Sequence, residues 1–370
     1  RRTVLALAAA STAATATRAA GPRTADPIAG WTVINALGGL DDPNHPDSGP
    51  ATITPRMLAD AHASGETAVN VTLGYVAGPQ EPFETSVADV AHWDRLVREH
   101  PRDLVKVLTA ADIARAKAEK KIGLIYGFQN AAMMGKDAAR VDIFADLGVR
   151  VIQLTYNVSN QLGDGSMAPQ GRGLTPFGRE VVERLNARRV MVDLSHSGRQ
   201  ICLDAARASK QPISINHTGC RALVDLPRNK TDAELRGVAQ MGGFVGIYFM
   251  PFLTLDGHPK PDDVVAHIDH AINVCGEDHV GIGTDGSVTG IDDLEGYKSH
   301  LAKEIEARRA AGIGATGERP DTYPFVAELR GAGQFRKLVT LLRAKGYSEP
   351  RIEKIMGRNF LRYARDIWGA

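Results

Sequence analysis

Apolar runs of five to seven residues recur eight times along the chain, and stretches with helical periodicity fill most of the intervals between them. The runs are TVINAL at 32–37, TAVNVTL at 67–73, IGLIYGF at 122–128, VRVIQLT at 149–155, VMVDLS at 190–195, PISIN at 212–216, FVGIYF at 244–249 and HVGIGT at 279–284. Several are nearly continuous in Val, Ile and Leu, which suits strands buried on both faces of a closed parallel sheet more than half-exposed antiparallel ones. The segments TPRMLADAHAS, DAARVDIFADLG, TPFGREVVERLNARR, TDAELRGVAQMGG and PDDVVAHIDHAINVCG carry apolar residues at helical spacing. Thr54, Thr175 and Thr231 read as N-caps, and Pro55 and Pro176 take the following first-turn position, where the missing N–H is no loss.

Strand and helix alternating eight times is the pattern of an α/β fold, the (β/α)8 or TIM barrel, whose active site is built at the carboxyl ends of its strands. Two Gly- and Pro-rich insertions depart from the regular period. GGLDDPNHPDSGP at 38–50 follows the first run, GDGSMAPQGRGLTP at 163–176 follows the fourth, and both should overhang the barrel mouth. From Tyr297 onward KSHLAKEIEARRAAG, QFRKLVTLLRAKG and EPRIEKIMGRNFLRYARDIW read as extra closing helices whose charged residues face solvent. Residues 21–370 therefore read as one barrel domain, a size that α/β barrels reach.

Residues 1–20 stand apart. Arg1 and Arg2 precede a short uncharged apolar run that breaks up into small residues around Ala14, Ala16, Ala19 and Ala20, the form of an export signal of the twin-arginine type. A frayed surface helix is the alternative. On the first reading the protein is exported, to the periplasm or beyond the cell. The run is too short and too weakly apolar to span a bilayer stably, and no other segment approaches that length.

Composition narrows the partners. A formal net charge of +1 supplies no long-range basic field, so a nucleic-acid partner is not expected and a small molecule is. Cys202, Cys220 and Cys275 lack CxxC spacing and are odd in number, which reads as buried thiols rather than a disulfide framework. Cys220, close behind His217, is a candidate ligand or nucleophile, but no paired base is evident.

Chemistry collects at the strand ends. RRVMVDLSHSG and QPISINHT are successive apolar runs that each finish in a histidine, His196 and His217, and VGIGTD finishes in Asp285. Two imidazoles and a carboxylate at one rim suit metal-assisted hydrolysis, in which the ion acidifies a bound water and the carboxylate takes its proton. The remaining strand ends present Leu37 with Gly39, Asn70, Gln129, Tyr156 and Tyr248.

With GLTPFGREVVERLNARRVMVDLSHSG, NHTGCRAL, PRNKTDAELRGVAQMGGFVGI, VVAHIDHAINVCGEDHVGIGTD and IMGRNFLRYARDIW in this order, the chain from about Trp31 onward resembles the membrane (renal) dipeptidase family, peptidase family M19 of the amidohydrolase-like barrels. The resemblance implies the (β/α)8 fold and, for a typical member, a two-zinc site that hydrolyses dipeptides. It implies that His196 and His217 hold metal, that Asp285 manages the water proton, and that Arg228 of PRN binds the substrate carboxylate, a task suited to a forked guanidinium. Tyr156 and Asn157 of LTYN fall in the motif that polarises and binds substrate. Family relatives are often dimers, so a homodimer is a further implication.

The departures from the family pattern are as informative. Its His-x-Asp pair falls on Leu37, Gly38 and Gly39, its bridging glutamate on Gln129, and its substrate-polarising histidine on Tyr156. The first metal position thus loses its charged ligands, leaving at most one zinc on His196, His217 and, weakly, Gln129. Asp41, Asp42 and His45 are candidate substitute ligands, and Tyr156 is a candidate donor to a developing oxyanion. Three functions stay open: an exported hydrolase of dipeptides or similar small amides with one metal or a rebuilt site; a silent relative that binds a small carboxylate or peptide; and a metal-independent hydrolase or lyase using Asp285 as base and Tyr156 as acid.

Overall fold

The computed structural model of the chain describes residues 26–44, 51–169 and 171–369. The segment read as an export signal and His45 lie outside the described residues. Among the described residues nine parallel strands run β1 (Ile34–Gly38), β2 (Ala68–Thr72), β3 (Leu104–Lys106), β4 (Ile122–Phe128), β5 (Val149–Gln153), β6 (Met191–Asp193), β7 (Ser214–Thr218), β8 (Phe244–Ile247) and β9 (Val280–Ile282). Eight of them follow the order β1-β2-β4-β5-β6-β7-β8-β9, matching the eight apolar runs. The ring closes through side chains and loop backbone: Asn35 Nδ2 donates to Thr284 Oγ1 at 2.9 Å, Thr284 N–H to Asn35 Oδ1 at 2.8 Å, and Asp285 N–H to Leu37 O at 2.9 Å. The fold is a (β/α)8 barrel.

The ninth strand is the departure from expectation. β3 pairs with Ile122–Leu124 in the first half of β4, while β5 pairs with Tyr126–Phe128 in the second half. Three residues within RDLVKVL are too few to show a strand pattern in sequence. The three threonine caps form as read: Thr54 accepts from Met57 N–H at 3.2 Å, Thr175 from Gly178 N–H at 2.9 Å, and Thr231 from Glu234 N–H at 3.4 Å. A cap of this kind stabilises its helix by about 1 kcal/mol.

The amino-terminal end of the barrel is plugged by the chain's last helix, Asn359–Trp368. Its Phe360, Tyr363, Ala364, Ile367 and Trp368 pack on Ile34, Ala68, Met191 and Phe244, which sit at strand starts. Before that helix the chain passes so close to β1 that a Cβ on Gly357 would lie 2.1 Å from Thr32 O, so only glycine fits. Among the described residues no helix is long and apolar enough to cross a membrane.

At the opposite end, β6 and β9 stop before their apolar runs do. Leu194–His196 and Gly283–Asp285 thereby leave the strands at the mouth, with Leu194 N–H still donating to Ser214 O at 2.9 Å and Gly283 N–H to Ile247 O at 3.1 Å. The 163–176 insertion is strapped to this rim: Ser166 N–H donates to His196 O at 2.7 Å and Met167 N–H to Asn157 O at 2.8 Å. Helix Leu294–Ala310, expected to turn its charges to solvent, buries Leu301 and Ile305 and brings Arg308 into the mouth. Its position over the strand ends, not its own periodicity, decides which face is wet.

Candidate active site at the barrel mouth

Asp193 at the end of β6 sets the spacing of the two histidines. Its buried carboxylate accepts from Ser195 N–H at 3.0 Å, Ser195 O–H at 2.5 Å and Asn216 N–H at 3.0 Å, and Ser195 Oγ accepts from His217 N–H at 3.1 Å. The turn carrying His196 is thus tied to β7, which carries His217, and the two imidazole centroids lie 4.9 Å apart.

Each nitrogen of His196 is assigned a role by its neighbours. Asn157 donates through Nδ2 to Ile313 O at 2.9 Å, which leaves its Oδ1 to accept from His196 Nδ1 at 2.7 Å. The lone pair therefore sits on Nε2, where Arg228 Nη2 donates at 3.1 Å; Arg228 Nη1 donates to Ser195 O at 2.7 Å. Arg228 is 1% exposed, and Tyr156 stacks on the His196 ring with centroids 4.2 Å apart. In this arrangement Arg228 uses one N–H of each η nitrogen on Ser195 and His196, and Asn157 orients His196 through its amide oxygen.

His217 is the opposite case. It is fully buried, and neither ring nitrogen has a hydrogen-bond partner among the described residues. Its Nε2 lies 4.0 Å from Asp285 Oδ2. Burial, reinforced by the Arg228 charge, holds both imidazoles well below their usual pKa, so both are neutral at pH 7. Burial pushes the Asp285 carboxyl up to about 6, against the pull of Arg228 and Arg308. Asp285 also has φ +58°, a left-handed conformation that costs a non-glycine residue about 1 kcal/mol or more. The bond from its N–H to Leu37 O helps hold it there.

Asp285 borders a cavity of about 170 Å3 shared with Tyr156, Leu301, Ile305, Arg308 and Glu318. Arg308 pairs with Glu318 at 2.9 Å and its Nη2 lies 3.4 Å from the Tyr156 hydroxyl. Sequence reasoning missed Arg308 and Glu318, because nothing in an amphipathic charge pattern tells a solvated face from one roofing a cavity.

Zinc does not fit these residues as they are arranged. Leu37 and Gly39 offer no side-chain lone pair, and Gln129, whose Nε2 donates to Thr72 Oγ1 at 2.7 Å, offers only a neutral amide oxygen. The His196 lone pair is taken by a cation, and among the described residues no three His, Cys, Asp or Glu side chains come together to hold an ion. Asp41 and Asp42 do not complete such a group. Cys220 is buried with its thiol pushed well above the ordinary range by desolvation and its Sγ donating to His267 O at 3.4 Å, so it serves as neither ligand nor nucleophile.

A barrel with its histidines and aspartate converging at the strand carboxyl ends is the architecture of the amidohydrolase-like hydrolases. The membrane dipeptidase family, peptidase family M19, matches residues 79–313, and the chain belongs to that family. It is 31% identical to an amidohydrolase of Pseudomonas aeruginosa of known structure, with a TM-score of 0.79 over 94% of this chain and 99% of that one. An uncharacterized Klebsiella pneumoniae protein from the pqqA 5' region is 29% identical over 78% of this chain and 98% of its own length. An uncharacterized dipeptidase of Schizosaccharomyces pombe is 31% identical over 58% of this chain and 55% of its own.

Proposed function

We propose that the chain is an exported hydrolase of dipeptides or similar small amides, with Asp285 as its proton-transfer group. The observation that carries this reading is the position of Asp285: a carboxylate tuned to about 6, beside an unpartnered imidazole, at the wall of the mouth cavity. Above pH 6 the carboxylate accepts a proton from water as the water oxygen adds to the amide carbon. Tyr156, its hydroxyl next to the Arg308 guanidinium, donates a hydrogen bond to the carbonyl oxygen as negative charge develops there. Asp285 then returns the proton to the departing amine as the C–N bond breaks.

At most one zinc is compatible with His196 and His217, and it requires Arg228 to release His196. Export is supported by the twin arginines and small residues of 1–20, and a homodimer by the resemblance to relatives. A second reading, a silent family member that binds a small carboxylate or peptide, is favoured by Arg228 closing over His196. Hydrolysis of a dipeptide panel by wild type and Asp285→Asn, with metal content measured on the same samples, tests the proposal. Turnover that depends on Asp285 supports hydrolysis, and binding with no turnover by either protein supports the second reading.

A further inference from the structure

We propose that Gly38 and Gly39 open a side-chain pocket where the family pattern has a His-x-Asp pair, and that this pocket takes the apolar side chain of a substrate's amino-terminal residue. The inference rests on the dipeptide-hydrolase reading and names its substrate class.

A second cavity, of about 300 Å3, is also bordered by Asp285. Its size is at the lower end of small-molecule sites, roughly 300–1,000 Å3. Leu40, Val71 and Trp93, each nearly buried, and Ala51 supply an apolar lining, with Thr72, Asp41 and Asp285 as its polar side chains. The two glycines leave the space for different reasons. A Cβ on Gly38 would lie 2.2 Å from the Asn35 amide that closes the barrel, so no side chain fits there. A Cβ on Gly39 would meet only the movable Asp41 carboxylate, at 2.5 Å, so position 39 tolerates a side chain and has none.

The charges at the two ends have the polarity of an extended dipeptide. Asp41 at the second cavity, 4.0 Å from Arg330, suits an α-ammonium group; Arg308 at the first, paired with Glu318, suits an α-carboxylate that takes the place of Glu318; and the amide between them falls over Asp285. The apolar wall beside Asp41 then receives the amino-terminal side chain.

The experiment compares Leu-Gly, Gly-Leu and Gly-Gly as substrates and, by calorimetry, as ligands of wild type, Gly39→Leu and Ala51→Leu, with thermal melts to confirm folding. Wild type is expected to favour Leu-Gly over Gly-Gly by about tenfold or more, the size of discrimination an apolar pocket supplies. The ratio should fall close to one in both variants, which fill the cavity from two separate positions of its lining. No preference in wild type, or a preference unchanged in both variants, overturns the pocket. If Leu-Gly binds more tightly than Gly-Gly without turnover, the hydrolase reading fails and the pocket stands. If all three dipeptides are cleaved equally, the pocket fails and the hydrolase reading stands. Absence of both binding and turnover overturns both.

Discussion

Arg228 Nη2 lies 3.1 Å from His196 Nε2, so a buried guanidinium occupies the lone pair through which this imidazole would bind a metal ion. Two neutral partners, His196 and Ser195 O, hold that charge in a place from which water is excluded. Arg228→Met keeps the bulk of the side chain and strands both acceptors. It is expected to cost about 2–3 kcal/mol in denaturant unfolding, as for buried hydrogen bonds to a charged group. It should also raise zinc uptake, measured by elemental analysis after incubation with the ion, while wild type stays well below one equivalent. A full equivalent in wild type would contradict the fit argued from these residues.

The pH profile follows from Asp285. A carboxylate raised to about 6 must be ionised to accept a proton, so kcat/KM should climb with pH through about 6 and level off above 7. Asp285→Asn should remove the acid limb and lower activity by about 100-fold or more. Stability moves the other way. The folded state keeps a proton that the unfolded chain has lost between about pH 4 and 6, so the favourable contribution is complete below 4 and gone above 6. Asp285→Asn should therefore raise unfolding stability at pH 7 by up to about 3 kcal/mol, at about 1.4 kcal/mol per unit, and have little effect below pH 4.

Glu66, at the foot of the barrel beside β2, provides an independent check of the same linkage. It is 4% exposed, and burial pushes it up to about 8 against the opposing pull of the neighbouring Asn35 amide. Stability should fall as pH rises from about 4.5 to 8. Glu66→Gln, neutral throughout, should raise the melting temperature above pH 8 and leave it nearly unchanged near pH 4, as followed by calorimetry.

Tyr156→Phe separates the hydroxyl from the ring. The stack on His196 persists, so stability should change by less than about 1 kcal/mol, whereas kcat should fall by roughly 100- to 1,000-fold on loss of an oxyanion donor. An unchanged kcat would remove Tyr156 from the reaction.

Much of this was legible in the chain because strand ends are legible. His196, His217 and Asp285 each close an apolar run, and runs that alternate eight times with helices close into one ring, so their convergence follows from topology. Thr54, Thr175 and Thr231 cap helices because a threonine before an amphipathic segment has a local partner three residues on. The contacts that give the site its character are not local. Arg228 reaches back 32 residues to His196 and Arg308 reaches 152 residues to Tyr156, and no periodicity encodes either pairing. β3 was hidden because three residues carry no pattern of their own.

The most direct measurement is hydrolysis of Leu-Gly near pH 7.5 by wild type and Asp285→Asn, with zinc determined in both preparations. Turnover in wild type that is lost in the Asp285 variant at matched zinc content is the predicted result. Equal turnover by the two proteins would contradict the role given to that carboxylate, and turnover by neither would contradict the hydrolase itself.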